Sequence, residues 1–387
     1  MRWFMGLLLA LALAVVGCSE TAGSGGSGGS GGLGGEGGSV GLGGTPSRTA
    51  ELEEFLDGHI EGQARVDEAG IAVALLGPGG VVELERTYGM ANIEDSIPMT
   101  SDTVFELASV SKPFTATAIM VLYEEGQLAP EDQVSSSFPE APPGWASMTV
   151  HHLLTHQSGL PDYISEQPPG TVEGWDNDDV LDYLLATPLQ FPPGDGFDYS
   201  NSGYVMLAIL VERITGESFP DFLSERVLEP LGMLDTFVPA ESPPNIPAMA
   251  RSYLLGSPRE YSARTYGAAQ VHSTLADLIR WELGIRDASV LSADTLALMA
   301  TVHVEVPAAG EVSYLDDCGY GYGWAICDSF VGPLQQHGGR WGGFRNVVDR
   351  HMTEGLTTIM LSNGSYDWAF QIGPELLVLY LEPRAAR

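Results

Sequence analysis

The sequence all but lacks lysine. Of its 387 residues 17 are basic, and every one of these is arginine except Lys112. Positive charge of either kind is scarce against 51 Asp and Glu, which leaves a formal charge of -34. Such a surface repels phosphate, which excludes nucleic acid and polybasic attachment to anionic lipid as modes of binding. An acidic, lysine-poor composition also looks like that of proteins from salty habitats, where screening relieves self-repulsion. No repeat of 20–50 residues is evident, and the N-terminal apolar run, Leu7 to Val16, is too short to span a bilayer comfortably. What remains is ordinary: an apolar fraction of 44%, and enough chain for one large catalytic domain or two smaller ones.

The N-terminus reads as an address. Arg2 precedes an apolar run from Leu7 to Val16, a length that suits a signal-peptide core (residues 1–17). It ends in Val15-Val16-Gly17-Cys18, which resembles the lipobox of bacterial lipoproteins and implies cleavage before Cys18 and lipidation there. The alternative is an ordinary secretory signal with a chance cysteine. Residues 18–48 follow as a tether; from Ser19 to Thr45, 14 of 27 residues are Gly. With no apolar periodicity it has nothing to bury against the entropy of ordering, and is expected to be disordered. A coil of that length spans roughly 30 Å, enough to hold a domain off a membrane. G-x-S-x-G matches such as those at Ser27 and Ser39 fall inside this low-complexity stretch and not at a strand-to-helix turn. The expected location is extracytoplasmic, lipid-anchored to a bacterial membrane, with the lipid as the only membrane contact.

From residue 49 to 387 the composition is globular. Leu52, Phe55, Leu56 and Ile60 space a helix over Ala50–Val66. Ile71–Leu76 and Val81–Tyr88 flank Gly77-Pro78-Gly79-Gly80, a hairpin signal. Tyr322–Ile326, Val331–Gln336, Phe344–Arg350 and Leu356–Leu361 read as strands, and Trp368–Leu381 as a closing helix. The region from about 113 to 267 is mainly helical. Strands at both ends with helices between predict an α/β fold, one sheet built from the two termini with a helical lobe inserted. If Cys18 is lipidated, Cys318 and Cys327 remain as a possible disulfide. Extended chain would hold them about 30 Å apart, so a bridge requires a bend near Gly319 or Gly321.

The lone lysine lies in Ser109-Val110-Ser111-Lys112-Pro113, ahead of an apolar, helix-like run to Leu122. Proline is tolerated in the first helical turn, so a helix starts at about Ser109 or Val110. The Ser109 hydroxyl then sits at the positive end of the helix dipole, and Lys112, three residues on, shares its face. Ser111 points elsewhere. A serine hydroxyl needs an adjacent base to become a nucleophile. An ordinary lysine is only about 0.1% neutral at pH 7.4, so burial or a nearby positive dipole must lower its pKa.

Phe105-Glu106-Leu107-Ala108-Ser109-Val110-Ser111-Lys112 strongly resembles the serine β-lactamase and penicillin-binding-protein superfamily, especially its class C-like branch. Tyr199-Ser200-Asn201 is similar to that family's Y-x-N element, and His337-Gly338-Gly339 to its third element, His-x-Gly or Lys-Thr-Gly on a strand. Residues 153–160 (LLTHQSGL), 273–278 (STLADL) and 320–324 (YGYGW) match as well. The resemblance covers roughly residues 50–385. It implies a β-lactamase/transpeptidase-like fold, an antiparallel sheet flanked by helices. It further implies that Ser109 forms an acyl-enzyme, Lys112 accepts its proton and Tyr199 relays protons to the leaving group and the deacylating water. Asn201 would bind substrate or hold Lys112. His337, Gly338 and Gly339 would line the substrate's side of the cleft, the glycines leaving room along the strand edge. The backbone N–H groups of Ser109 and Arg340 would form an oxyanion hole, each worth roughly 3 kcal/mol of barrier. No cofactor or metal is implied.

His337 stands where class C β-lactamases carry a Lys for the substrate carboxylate. A neutral imidazole is a weak substitute, which favours an esterase or a peptidase of D-amino acids acting on a small-molecule or peptide ester or amide. A class C-like β-lactamase and a non-catalytic penicillin-binding sensor lipoprotein are the alternatives, the first with Arg340 or Arg345 holding the carboxylate. A zinc hydrolase using His151, His152 and His156 is a third. However, His152-Leu153-Leu154-Thr155-His156 lacks the glutamate of H-E-x-x-H. Asn363-Gly364-Ser365 matches a glycosylation pattern that carries little force on a bacterial lipoprotein. Oligomeric state leaves no mark on the sequence.

Overall fold

A computed structural model describes residues 47–61, 68–167, 171–172, 174–239, 248–259, 264–306, 318–329 and 331–382. The signal segment, Cys18 and the tether lie outside them. Contacts divide the chain at residue 45, with Pro46–Arg387 one compact unit.

That unit is built on an eight-stranded antiparallel sheet. Its strands are β1 (Ile71–Leu76), β2 (Val82–Tyr88), β3 (Val304–Glu305), β4 (Cys318–Tyr320), β5 (Ala325–Ser329), β6 (Gly332–Trp341), β7 (Phe344–His351) and β8 (Leu356–Ser362). The spatial order is β2-β1-β8-β7-β6-β5-β4-β3, so the N-terminal hairpin is zipped onto the last strand, with Ile71 opposite Ser362 and Leu76 opposite Thr357. Every residue of β1 is buried, as a central strand covered on both faces requires. Its alternate residues divide between two cores. Ile71, Val73 and Leu75 join Leu52, Leu56 and Ile60 of α1 (Arg48–Glu61) and Ile372, Leu376 and Leu377 of the closing helix (Ala369–Leu381). Ala72, Ala74 and Leu76 face the larger core formed by the intervening helices.

Those helices run from Ser111 to Met299, further than the expected 113–267. At their centre is α2 (Ser111–Glu124), buried from Ser111 to Leu122 on all sides, beside α3 (Asn201–Thr215), which stops at Gly216 in the left-handed region (φ 76°). Between them in sequence lie the short helices Val150–Leu154 and Asn177–Ala186.

The expected strand at Tyr322–Ile326 is displaced. Residues 321–324 are the turn of a hairpin between β4 and β5, closed by Gly321 N–H donating to Trp324 O (2.7 Å) and by Gly323 at φ 79°. This turn supplies the bend a disulfide needs: Cys318 faces Cys327 directly and the two are bonded, with Cα atoms 4.2 Å apart. Asn363 is fully buried, its amide spent on Gly70 N, Met90 O, Ala91 O and Arg251 O, and is closed to glycosylation in the folded chain.

Candidate active site

Ser109 sits in a single 3-10 turn, Ala108–Val110, that runs straight into α2. The expected helix start is therefore met by two elements instead of one. Pro113 is the third residue of α2, where its missing N–H leaves no intrahelical bond unmade. Ser109 is half-buried and Lys112 wholly buried.

Lys112 Nζ lies 3.1 Å from Ser109 Oγ, 2.9 Å from Asn201 Oδ1 and 3.1 Å from Ala268 O. It also lies over the rings of Tyr199 and Tyr204, 4.8 and 5.6 Å from their centroids. Burial drives its pKa down to about 7, against the opposing pull of the Asp162 and Glu106 charges. Asn201 and Ala268 can only accept from an amine. In its neutral form Lys112 can give its two N–H groups to them, which turns the lone pair toward the Ser109 hydroxyl.

Asn201 opens α3, where a first-turn N–H needs an outside partner. It donates from N to Asp162 Oδ1 (2.9 Å) and from Nδ2 to Asp162 Oδ2 (3.4 Å), which turns Oδ1 toward Lys112. Neither Asp162 nor Ala268 was identified from sequence. Asp162 follows the 153–160 stretch by two residues, and that position was the only available signal. A backbone carbonyl leaves none.

Tyr199 is packed by its ring against His156, centroids 4.4 Å apart. His156 is buried, receives Ser200 N–H on Nδ1 (3.1 Å) and also touches Tyr204 and Tyr320. Its burial lowers its pKa well below the usual range, so it backs Tyr199 as a neutral ring.

His337 departs from expectation. It is fully buried, with Nδ1 donating to Gly338 O (2.9 Å) and Nε2 accepting from Tyr320 Oη (3.0 Å). Burial, with the nearby Lys112 charge second, pushes its pKa down to about 3. Both ring nitrogens are engaged and the ring stays neutral. It braces the site from behind, 6.5 Å from the Tyr199 ring, and offers a substrate carboxylate neither charge nor donor.

Gly339 is where β6 meets the turn bearing Ser109. A Cβ there would stand 2.2 Å from Leu107 O and 3.2 Å from Val110 N, so a side chain would push the strand off the turn. Gly338 and Arg340 flank this contact on the same strand, which sets the Arg340 backbone beside the turn bearing Ser109. The Arg340 side chain turns onto Phe370 (4.4 Å) and toward Asp367 (4.0 Å). Arg345 Nε bonds the same carboxylate at 3.0 Å.

His151, His152 and His156 do not converge. His151 Nδ1 meets Tyr322 Oη (2.9 Å), His152 Nδ1 accepts Thr149 N–H (3.2 Å) to cap its own helix, and His156 is buried behind Tyr199. Among the described residues no three metal-binding side chains come together.

Residues 56–382 match the family model described as Beta-lactamase. Penicillin-binding protein 4* of Bacillus subtilis is 32% identical over 324 residues, covering 77% of this chain and 69% of that protein. Esterase EstB of Burkholderia gladioli is 31% identical over 369 residues, covering 82% and 92%. The D-amino acid amidase of Ochrobactrum anthropi SV3 superposes with a TM-score of 0.70 at 27% identity, over 85% of this chain and 97% of that one.

Proposed function

The chain belongs to the beta-lactamase family, and from that premise we propose that it is a serine hydrolase which acylates Ser109 and turns over a small ester or amide. The observation that carries the reading is the buried Lys112 Nζ 3.1 Å from Ser109 Oγ. Neutral Lys112 takes the hydroxyl proton as Oγ attacks the carbonyl carbon. The developing oxyanion is received by the N–H groups of Ser109 and Arg340. Tyr199, its ring against Lys112, passes a proton to the leaving alcohol or amine. Water then attacks the ester of Ser109, its proton returning through the same pair, and the acid is released.

The neutral, fully engaged His337 and the commitment of Arg345 to Asp367 favour substrates that need no cation for a carboxylate. That supports an esterase or D-amino-acid amidase-like activity, of the kinds named for two of the similar proteins, over a class C-like β-lactamase. Lipid attachment at Cys18 and an extracytoplasmic location belong to the same reading. The Cys318–Cys327 bridge, which suits an oxidising compartment, supports it, and fatty-acid labelling lost in Cys18→Ser tests it.

Intact-mass measurement after exposure to a fluorophosphonate, and separately to a penicillin, tests the chemistry. One adduct on the wild type and none on Ser109→Ala is expected with the first reagent. An adduct that survives Ser109→Ala sinks the serine mechanism, and a stable penicillin adduct without ester turnover favours the sensor. Faster hydrolysis of a short p-nitrophenyl ester than of a chromogenic cephalosporin is expected. The reverse order makes the chain a β-lactamase.

A further inference from the structure

Glu106 lies three residues before the nucleophile, is wholly buried, and has no part in the chemistry above. Its Oε1 accepts two backbone N–H groups, from Ala108 at 2.9 Å and from Gln270 at 3.1 Å. Both donors are non-glycine residues in the left-handed region, Ala108 at φ 51° and Gln270 at φ 76°. L-residues rarely adopt that conformation without something to hold it. Each donor also adjoins a working group. Ala108 precedes Ser109, and Gln270 stands two residues after Ala268, whose carbonyl bonds Lys112 Nζ at 3.1 Å.

The two segments are laced together around this carboxylate. Leu107 N–H donates to Val271 O (2.9 Å) and Val271 N–H to Ser111 Oγ (3.0 Å). Thr115 Oγ1 donates to Gly267 O (2.7 Å), and Asn346 Nδ2 to Glu106 O (2.9 Å). The neighbouring bonds fix where the segments run, while the carboxylate reaches both left-handed residues.

We propose that Glu106 is a positioning residue whose buried carboxylate clamps Ala108 and Gln270, and so holds Ser109 and the Lys112 acceptor Ala268 in register from opposite sides. The clamp has a charge as well as a shape. The titratable groups around Lys112 are Asp162 and Glu106, the buried imidazoles of His156 and His337, and the rings of Tyr199 and Tyr204. Of these, Asp162 and Glu106 favour the protonated amine. Glu106 itself, raised to about 7 by burial, shares that proton economy with Lys112. When ionised, the clamp therefore holds the Lys112 pKa above the value burial alone would give.

The inference rests on the Ser109–Lys112 reading for its catalytic meaning, but the single lysine lets it be tested apart from that reading. Protein labelled with 13C-lysine gives one Cε signal, whose pH titration reports Lys112 directly. In Glu106→Gln the midpoint is expected to fall by about one pH unit, because a neighbouring negative charge is gone. In the same samples, the rate of fluorophosphonate labelling at Ser109 is expected to drop about 100-fold in Glu106→Ala. It recovers most of that loss in Glu106→Gln, which keeps the Oε1 acceptor. A Lys112 midpoint unmoved in Glu106→Gln, or equal labelling rates in the two variants, overturns the clamp. If the wild type fails to label while its Lys112 midpoint still shifts in Glu106→Gln, the hydrolase reading fails and the clamp stands.

Discussion

Lys112 makes pH the most direct probe of the site at the scale of single residues. With its pKa lowered to about 7, the fraction of neutral amine rises from roughly a tenth at pH 6 to nine-tenths at pH 8. Ester acylation is expected to climb with that midpoint and flatten above pH 8. A limb centred at pH 4–5 would instead report a carboxylate base. Arginine stays protonated at every accessible pH, so Lys112→Arg should lose at least about 1,000-fold in acylation rate. Asp162 acts on Lys112 through its charge and through its two bonds to Asn201. Ser109, Lys112, Tyr199 and Asn201 were all legible in the sequence, as short patterns with fixed spacing. Asp162 and Ala268 were not, because their roles come from chain segments folded beside the motif and not from any pattern within it.

At the scale of elements, the proposed oxyanion site depends on the contact between β6 and the turn bearing Ser109. Gly339→Ala places a methyl 2.2 Å from Leu107 O. Because that atom is backbone, the strand and turn must part. Acylation is expected to fall by about 100-fold or more, the scale of losing an oxyanion donor. A variant acylated at the wild-type rate would show that the close approach is dispensable. The β4–β5 hairpin carries Tyr320, the hydroxyl partner of His337, and Cys318–Cys327 staples it. Replacing both cysteines by serine should cost about 2–3 kcal/mol in chemical denaturation, the loop-entropy value for so short a ring. Sequence reading misplaced this hairpin's second strand because Tyr322 and Trp324 look like strand residues. Gly321 and Gly323, which make the turn, outweighed them.

β7 carries a second pH-dependent element, away from the site. Asp349 is buried beneath Gly373 of the closing helix, and burial raises its pKa from 3.8 to about 7. Between those values the folded chain retains a proton that the unfolded chain has released, so stability falls as pH rises across that window. Asp349→Asn removes that titration. Urea midpoints measured from pH 4 to 8 should show a shallower decline than in the wild type, by on the order of a few kcal/mol across the range. An unchanged slope would assign the decline to other groups.

The whole molecule is governed by its charge of -34. Self-repulsion on that scale is long-ranged and screened by salt, since the Debye length falls from about 10 Å at 0.1 M to about 3 Å at 1 M. Raising sodium chloride over that range should raise Tm by several degrees; a flat or falling Tm would mean that local ion pairs outweigh the net charge. Sheet and lobe were legible at this scale too. The aliphatic run Ile71–Leu76 and the strands beyond residue 331 mark what the two chain ends contribute to one sheet. Their zipper, Ile71 against Ser362, lay beyond any local signal.

By itself the sequence marked the Ser109–Lys112 pair and the strand and helix segments of the α/β fold. Each of these is written in local terms, as three-residue spacing on a helix, a proline that marks a first turn, and alternating or continuous apolar runs. Only the tertiary structure decided what His337 does. From its motif the ring was expected to face substrate, but whether an imidazole binds or braces depends on its burial and on what bonds its two nitrogens. Tyr320 and Gly338 take both. The same holds for the pKa of Lys112, which is set by desolvation and by two carboxylates, Asp162 and Glu106, brought to one amine from separate stretches of chain.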